Sequence, residues 1–321
     1  MDKLIEYFRI SARVILTIIL FTCLSSLASC KKAAPDNGGN TEYGNTGTTL
    51  QFKIMSFNIR LYTAYDTGDN YWENRKGAII KMMKEQMPDV VGFQEPRDNQ
   101  RDYLMASLPD YSFLYIHAEG GVTTSQSGHT VMAYKTSKFT VVKAGRFWLS
   151  PTPDTPSLPW SISEDQSIRT CVWAELKENT TGNIVYFFTT HLPYKAADNA
   201  ARKLAVALCL SKMQSIAGAD AKIILVGDMN CTDNSTDSRK ESLDGLYSWM
   251  KDGRDTAPST DAIGSFNNYN STNETSILNQ IDHIFVKNLT PLTFKTINSH
   301  NYGVAYISDH YPITLIAQAN Y

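Results

Sequence analysis

Six places in this chain put acids, imidazoles and amides where apolar runs end or begin. Ser56-Phe57-Asn58 closes a run that starts near Phe52, and Gln94-Glu95 follows residues 90–93. His191 comes after Tyr186-Phe187-Phe188, and Gly227-Asp228-Met229-Asn230 follows residues 223–226. Asp282-His283 interrupts an Ile281 to Ile284 stretch, and Ser308-Asp309-His310 precedes the last apolar run. A buried carboxylate or imidazole is costly unless another charge, hydrogen bonds or a metal ion meets it. Catalytic groups tend to sit on loops positioned by such a scaffold. Each residue also has a plain structural use. Asn58 suits a turn, Glu95 a helix start before Pro96, and Asp282 a carboxylate held by backbone N–H groups. His191 and His310 suit hydrogen-bonded core positions. His283, next to Asp282 on the same strand, points to the opposite face and falls outside the cluster.

The elements that must carry these residues follow from periodicity. Strands are expected at 52–59, 90–95, 112–117, 129–135, 139–149, 168–176, 183–191, 223–226, 279–286, 292–297 and 311–317. Helices are expected at 72–87, where Ile79, Ile80, Met83 and Met87 share a stripe ended by Pro88, and at 97–108, 196–217 and near 239–251. Residues 150–167 read as a Pro- and Ser-rich loop. Strands and helices without strict alternation predict an α/β fold of mixed sheets covered by helices. No linker divides residues 51–321, so they read as one domain, and no internal repeat is evident.

Composition narrows the classes. The chain has 321 residues, 42% of them hydrophobic and 19% charged, with a formal net charge of −2. That is a globular composition, neither disordered nor multi-span membrane. The near-zero charge argues against a nucleic-acid coat protein but not against brief contact with a nucleic acid.

The start of the chain reads as a targeting segment. Lys3, Arg9 and Arg13 precede an apolar run at 14–24, too short to span a bilayer, and small residues follow. Leu27-Ala28-Ser29-Cys30 resembles a bacterial lipobox. It implies a signal peptide over 1–29 and a lipidated Cys30, held stably on a membrane by more than one acyl chain. Residues 30–50, rich in Gly, Asn and Thr, read as a flexible tether. The expected location is the bacterial cell envelope, and no obligate protein partner is implied. Removing residues 1–29 takes away three basic and two acidic residues and leaves −3. Cys171, Cys209 and Cys231 are too few and too scattered for a disulfide framework.

Taken together, FNI (57–59), FQE (93–95), THL (190–192), GDMN (227–230), IDHIF (281–285) and SDHYP (308–312) resemble the endonuclease/exonuclease/phosphatase superfamily, the DNase I-like and exonuclease III-like phosphohydrolases. FWLSPTPDTP (147–156) and the Arg169-Thr170 stretch resemble its bacterial, lipid-anchored branch. The resemblance spans about 52–318. It implies a four-layer α/β sandwich, two mixed sheets face to face with helices outside. It also implies hydrolysis of a phosphodiester or phosphomonoester by in-line attack of activated water. The substrates implied are a nucleic acid, a nucleotide or a phospholipid head group. By the same resemblance, Glu95, Asn58 and Asp309 hold Mg²⁺, for which Mn²⁺ substitutes; oxygen ligands suit that ion. Asp228 orients or activates water, with Asn230 fixing its geometry. Asp282 sets the tautomer and charge of His310, and His191 donates to a phosphate oxygen. Asp228 and His310 both remain open as the base. Pro193-Tyr194 stand where relatives often carry an Asp-His pair, which removes polar contacts at the pocket rim. The other class to weigh is a non-catalytic envelope lipoprotein that binds a sugar or nutrient on the same fold. The complete set Glu95, Asp228, Asp309 and His310 speaks against it.

Overall fold

A computed structural model describes residues 47–115, 130–160, 162–165, 167–232, 238–270, 272 and 279–321. The segment expected to be a signal peptide, Cys30 and most of the expected tether lie outside the described residues. Residues 46–321 form one compact unit.

Two six-stranded sheets make the scaffold. The first contains β1 (Thr49–Asn58), β2 (Val90–Gln94), β3 (Tyr111–Tyr115), β4 (Thr130–Lys135), β11 (Thr290–Thr296) and β12 (Ile313–Asn320), in the order β11-β12-β1-β2-β4-β3. The second contains β5 (Phe139–Trp148), β6 (Thr170–Glu178), β7 (Ile184–His191), β8 (Ile223–Asp228), β9 (Lys251–Asp252) and β10 (Asp282–Lys287), in the order β5-β6-β7-β8-β10-β9. The helices are α1 (Trp72–Gln86), α2 (Asp98–Ser107), α3 (Asn199–Ala217), α4 (Asp244–Trp249) and the single turn α5 (Gly253–Thr256). In each sheet one pair is parallel, β1 with β2 and β7 with β8, and the remaining pairs are antiparallel. Parallel neighbours need a crossover, and α1 and α3 supply it.

Alternation along the strands builds four layers. Ile54, Val90, Phe187 and Ile224 turn inward to one core between the sheets. Their neighbours Met55 and Val91 turn outward to α1, against Ile79, Met82 and Met83. Phe188 and Leu225 turn outward to α3, against Ala205, Val206 and Met213. Strands buried on both faces read as continuous apolar runs, and these do. The sheets come closest at Gly92, where an added Cβ would lie 2.3 Å from Thr189 Oγ1 and 2.5 Å from Val226 Cγ2. Helix α1 ends as expected beside Pro88, with Met87 in the left-handed region (φ 45°).

The expected sandwich is therefore the observed one. Several boundaries move. β1 starts at Thr49, paired with Asn320, and Leu50 packs on the core, so the expected tether loses its last two residues to the sheet. β12 runs on to Asn320, and the helix expected near 239–251 begins as a 3₁₀ turn, Ser238–Leu243. A repeat that is not evident in sequence appears in topology. Reading β5-β6-β7-α3-β8-β9-β10 beside β11-β12-β1-α1-β2-β3-β4 gives the same succession and the same sheet order. The second reading is circularly permuted, because its first two strands come from the end of the chain.

Candidate active site

The carboxyl ends of two parallel pairs and the starts of their antiparallel neighbours meet at one edge of the sandwich. Asn58 ends β1 and Glu95 follows β2; His191 ends β7 and Asp228 ends β8. Asp282, first in β10, stands opposite Asp228 in register. Ser308, Asp309 and His310 precede β12, which is antiparallel to β1. Every candidate residue comes to this edge except Cys30, the expected lipidation site, which is not among the described residues.

Three of the strand ends are strained. Arg60 (φ 58°), Glu95 (φ 71°) and Asn230 (φ 50°) all occupy the left-handed region. Such backbone costs of order 1–3 kcal/mol per residue and survives where the surroundings impose it. The imposing bonds are present. Leu61 N donates to Glu95 Oε2 (2.9 Å), and Asn230 N donates to Asp228 Oδ1 (2.9 Å).

Asn58 joins the two sheets. Its Nδ2 donates to Glu95 Oε1 (3.2 Å) and to Asp228 Oδ2 (3.0 Å), while its Oδ1 accepts from Arg60 N (3.0 Å). The amide turns its nitrogen to the carboxylates and orders them, because its oxygen is engaged by the backbone.

His310 Nδ1 lies 2.7 Å from Asp282 Oδ2, and its Nε2 lies 3.7 Å from Asp228 Oδ2. Burial alone would strip the imidazole of its proton, but Asp282 and Asp228 outweigh it and push the pKa up to about 10. The surrounding carboxylates therefore favour the protonated ring. Burial raises Asp228, but His191 and His310 overcome it and hold its carboxyl well below the usual range. The Phe266 ring meets the His310 ring edge-on at 5.0 Å. Asn267 N and Asn268 N donate to Asp309 O (2.9 and 3.0 Å), and Ser308 Oγ donates to Asn58 O (2.8 Å).

His191 packs beside Asn230 and Asp228. Its Nε2 lies 3.0 Å from Asn230 Nδ2 and 3.3 Å from Asp228 Oδ2. Only the buried Nδ1 lacks a partner among the described residues. The ring thus supports Asp228 first. His283 faces the other side of β10, as expected, between Asp252 Oδ2 (2.7 Å) and Cys231 O (3.0 Å). Cys231 itself is buried.

The donor set fits a hard divalent cation. Burial and the Glu95 charge push the Asp309 carboxyl up. Its Oδ2 faces Arg60 Nη1 at 3.6 Å. Two crowded carboxylates, Glu95 half-buried and Asp309 buried, are relieved by such an ion. Asp228, Asp282 and His310 also lie close enough to hold a metal ion. A cation bound among these three would displace the imidazolium from Asp282.

Residues 55–310 match the Endonuclease/Exonuclease/phosphatase family, and the chain belongs to that family. It is similar to an endonuclease/exonuclease/phosphatase family protein of Bacteroides thetaiotaomicron, with 26% identity, a TM-score of 0.74, and coverage of 85% of this chain and 100% of that one. It is also similar to a mannosyl-6-phosphatase of Bacteroides thetaiotaomicron VPI-5482, with 26% identity, a TM-score of 0.72, and coverage of 83% and 99%. An uncharacterised protein of Acanthamoeba polyphaga mimivirus is 25% identical over 271 residues, 82% of this chain and 96% of the relative. The D. rerio TDP2 complexed with single-strand DNA product shares the fold at 19% identity and a TM-score of 0.62, over 83% of this chain and 98% of that one. The family is one of hydrolases that act on phosphoesters.

Sequence reasoning missed Arg60, Asp66, Arg75, Ser265 and Phe266. Arg60 directly follows the FNI motif, so its position was a usable signal. Phe266 lies in a stretch with no periodicity and carried none.

Proposed function

We propose that this protein is a Mg²⁺-dependent phosphoesterase that hydrolyses phosphate esters with water as the nucleophile. The observation that carries the reading is an imidazole inside a ring of acids, His310 at 2.7 Å from Asp282 and 3.7 Å from Asp228. A fixed positive charge there stabilises charge that builds on the phosphoryl oxygens. Glu95 and Asp309 would hold Mg²⁺, and the ion, when bound, neutralises phosphate oxygens and lowers the pKa of a bound water. Asp228, kept ionised, orients the attacking water. Asn230 N and His191 hold Asp228 in place. His310, held between Asp282 and Asp228, is placed to stabilise charge on the phosphate, and Asp228 and His310 both stay open as the base. The intact acid and imidazole set supports an enzyme over a binding protein.

The substrate class reaches from soluble sugar and nucleotide phosphates to lipid head groups. The name of the mannosyl-6-phosphatase neighbour supports a soluble sugar phosphate within that range. The deciding assay is hydrolysis of bis(p-nitrophenyl) phosphate with Mg²⁺ or Mn²⁺, with and without a chelator. Turnover that persists in chelator, or that survives His310→Ala unchanged, overturns the reading.

The proposed site of action is the bacterial envelope, through a lipid on Cys30. Cys30→Ser should release the protein from membranes and abolish labelling by a palmitate analogue. A Cys30→Ser protein still in membranes after a high-salt wash defeats that proposal.

A further inference from the structure

Arg60 takes no part in the chemistry above, yet much of the structure is spent on placing it. Its backbone is left-handed, its N–H donates to Asn58 Oδ1 (3.0 Å), and its carbonyl accepts from Arg75 Nη2 and Gln100 Nε2 (both 2.9 Å). Asp66 takes two of the three guanidinium nitrogens, Nε at 3.2 Å and Nη2 at 3.1 Å. The third, Nη1, makes no hydrogen bond among the described residues and stands 3.6 Å from Asp309 Oδ2. The side chain is 31% exposed, so the guanidinium is not sealed inside the protein. A clamp for the 60–66 loop would need only the Asp66 pair. What remains is a rigid cation whose Nη1 carries two N–H groups beside the proposed metal carboxylate Asp309.

The charge of the substrate decides what such a group is for. A phosphodiester carries one negative charge, whereas a phosphomonoester carries nearly two at neutral pH. A fork of fixed N–H donors suits the extra terminal oxygen of the monoester. We propose that Arg60, through Nη1, is the specificity-determining contact for a terminal dianionic phosphate, which makes phosphomonoesters the substrate class of this site. The proposal rests on the phosphoesterase reading.

The test is a calorimetric titration of the full chain in detergent with Mg²⁺, using inorganic phosphate and dimethyl phosphate at pH 8. Wild type should prefer inorganic phosphate. Arg60→Gln should lose roughly 10- to 100-fold of that affinity, the worth of one charged hydrogen bond, and leave dimethyl phosphate within about 3-fold. Arg60→Lys should recover part of the loss. Equal losses for both ligands, no loss in Arg60→Gln, or no preference in wild type overturns the proposal, and the last needs no variant to fold. Glucose 6-phosphate and phosphatidate-containing vesicles, as competitors, distinguish a soluble from a lipid-borne terminal phosphate; competition by neither overturns it. The two readings fail separately. Turnover of bis(p-nitrophenyl) phosphate without any phosphate preference sinks the Arg60 contact alone. Phosphate preference without turnover of any ester sinks the phosphoesterase reading alone.

Discussion

In β1-α1-β2 the first strand ends at Asn58 and the second runs into Glu95; in β7-α3-β8 the corresponding ends are His191 and Asp228. Both crossover helices bury an arginine as their fourth residue, Arg75 in α1 and Arg202 in α3. Each guanidinium caps carbonyls of the loop that leads into its helix. Arg202 reaches Pro193 O (2.8 Å) and Lys195 O (2.7 Å), all within its own half. Arg75 reaches Asn70 O and Arg60 O (both 2.9 Å), and also Ile307 O (3.1 Å), one residue before Ser308-Asp309-His310. The first half is thus tied to the loop of the proposed metal carboxylate Asp309. The second is anchored locally, with Asp198 accepting from Ser163 Oγ (2.9 Å) and Asp165 N (2.8 Å). On the proposed roles, the β1 and β2 ends supply a metal carboxylate and the β7 and β8 ends the groups that handle water.

The largest effects should separate those sides. Asp228→Asn should cut kcat by about 10²–10³-fold at every Mg²⁺ concentration, since it removes an aligned polar group at the reacting centre. Glu95→Gln should lose comparable activity at limiting Mg²⁺ and regain much of it as Mg²⁺ rises. A Mg²⁺ titration of both variants checks this, and identical curves would erase the division of labour.

The arginines give the next contrast. Arg75→Met and Arg202→Met should each lower stability by about 3 kcal/mol in urea unfolding, because buried carbonyls lose their donors. Only Arg75→Met should also weaken Mn²⁺ binding, by about 10-fold, as loss of an outer-shell support does. Equal Mn²⁺ affinities in the two variants would show that the link to Ile307 is idle.

Two glycines sharpen the comparison further. Gly92→Ala should cost about 1–3 kcal/mol by overpacking, since its Cβ would meet side chains that yield little. Gly227→Ala should cost more, because its Cβ would lie 2.3 Å from Thr190 O, a backbone atom. Thermal unfolding of the pair checks the order.

The smallest effect is a pH dependence confined to the second half. Burial raises the Asp165 carboxyl, but the Arg169 charge, with Nε 2.9 Å away, wins and lowers it. A carboxyl depressed on folding contributes stability above its unfolded pKa, about 3.9, and loses it as pH falls through the folded value. Wild type should therefore lose melting temperature more steeply than Asp165→Asn below about pH 4. Parallel profiles would mean that Arg169 is held by other contacts.

The strand ends were legible because burial on both faces leaves an unbroken apolar run, and a polar residue stands out where the run stops. Ser56-Phe57-Asn58, Gln94-Glu95 and Gly227-Asp228 are of this kind. The parallel pairing of β1 with β2 and β7 with β8 was less legible. The topological repeat was hidden because its second copy is assembled from both ends of the chain. The roles of Asn58 and His191 depended on which atom each ring or amide turns to the carboxylates, and no spacing encodes that.

The chain by itself determined the elements, the two-faced burial of the central strands and the list of groups able to do chemistry, since these depend on local periodicity and residue type. Only the tertiary structure decided that Asn58 bridges Glu95 and Asp228, that His310 stands between Asp282 and Asp228, and that Arg60 leaves one nitrogen toward Asp309. Those outcomes depend on distances between residues as far apart as Asn58 and Asp228, 170 positions along the chain. Charge states follow the same rule, because a buried imidazole keeps its proton only where carboxylates from other strands surround it.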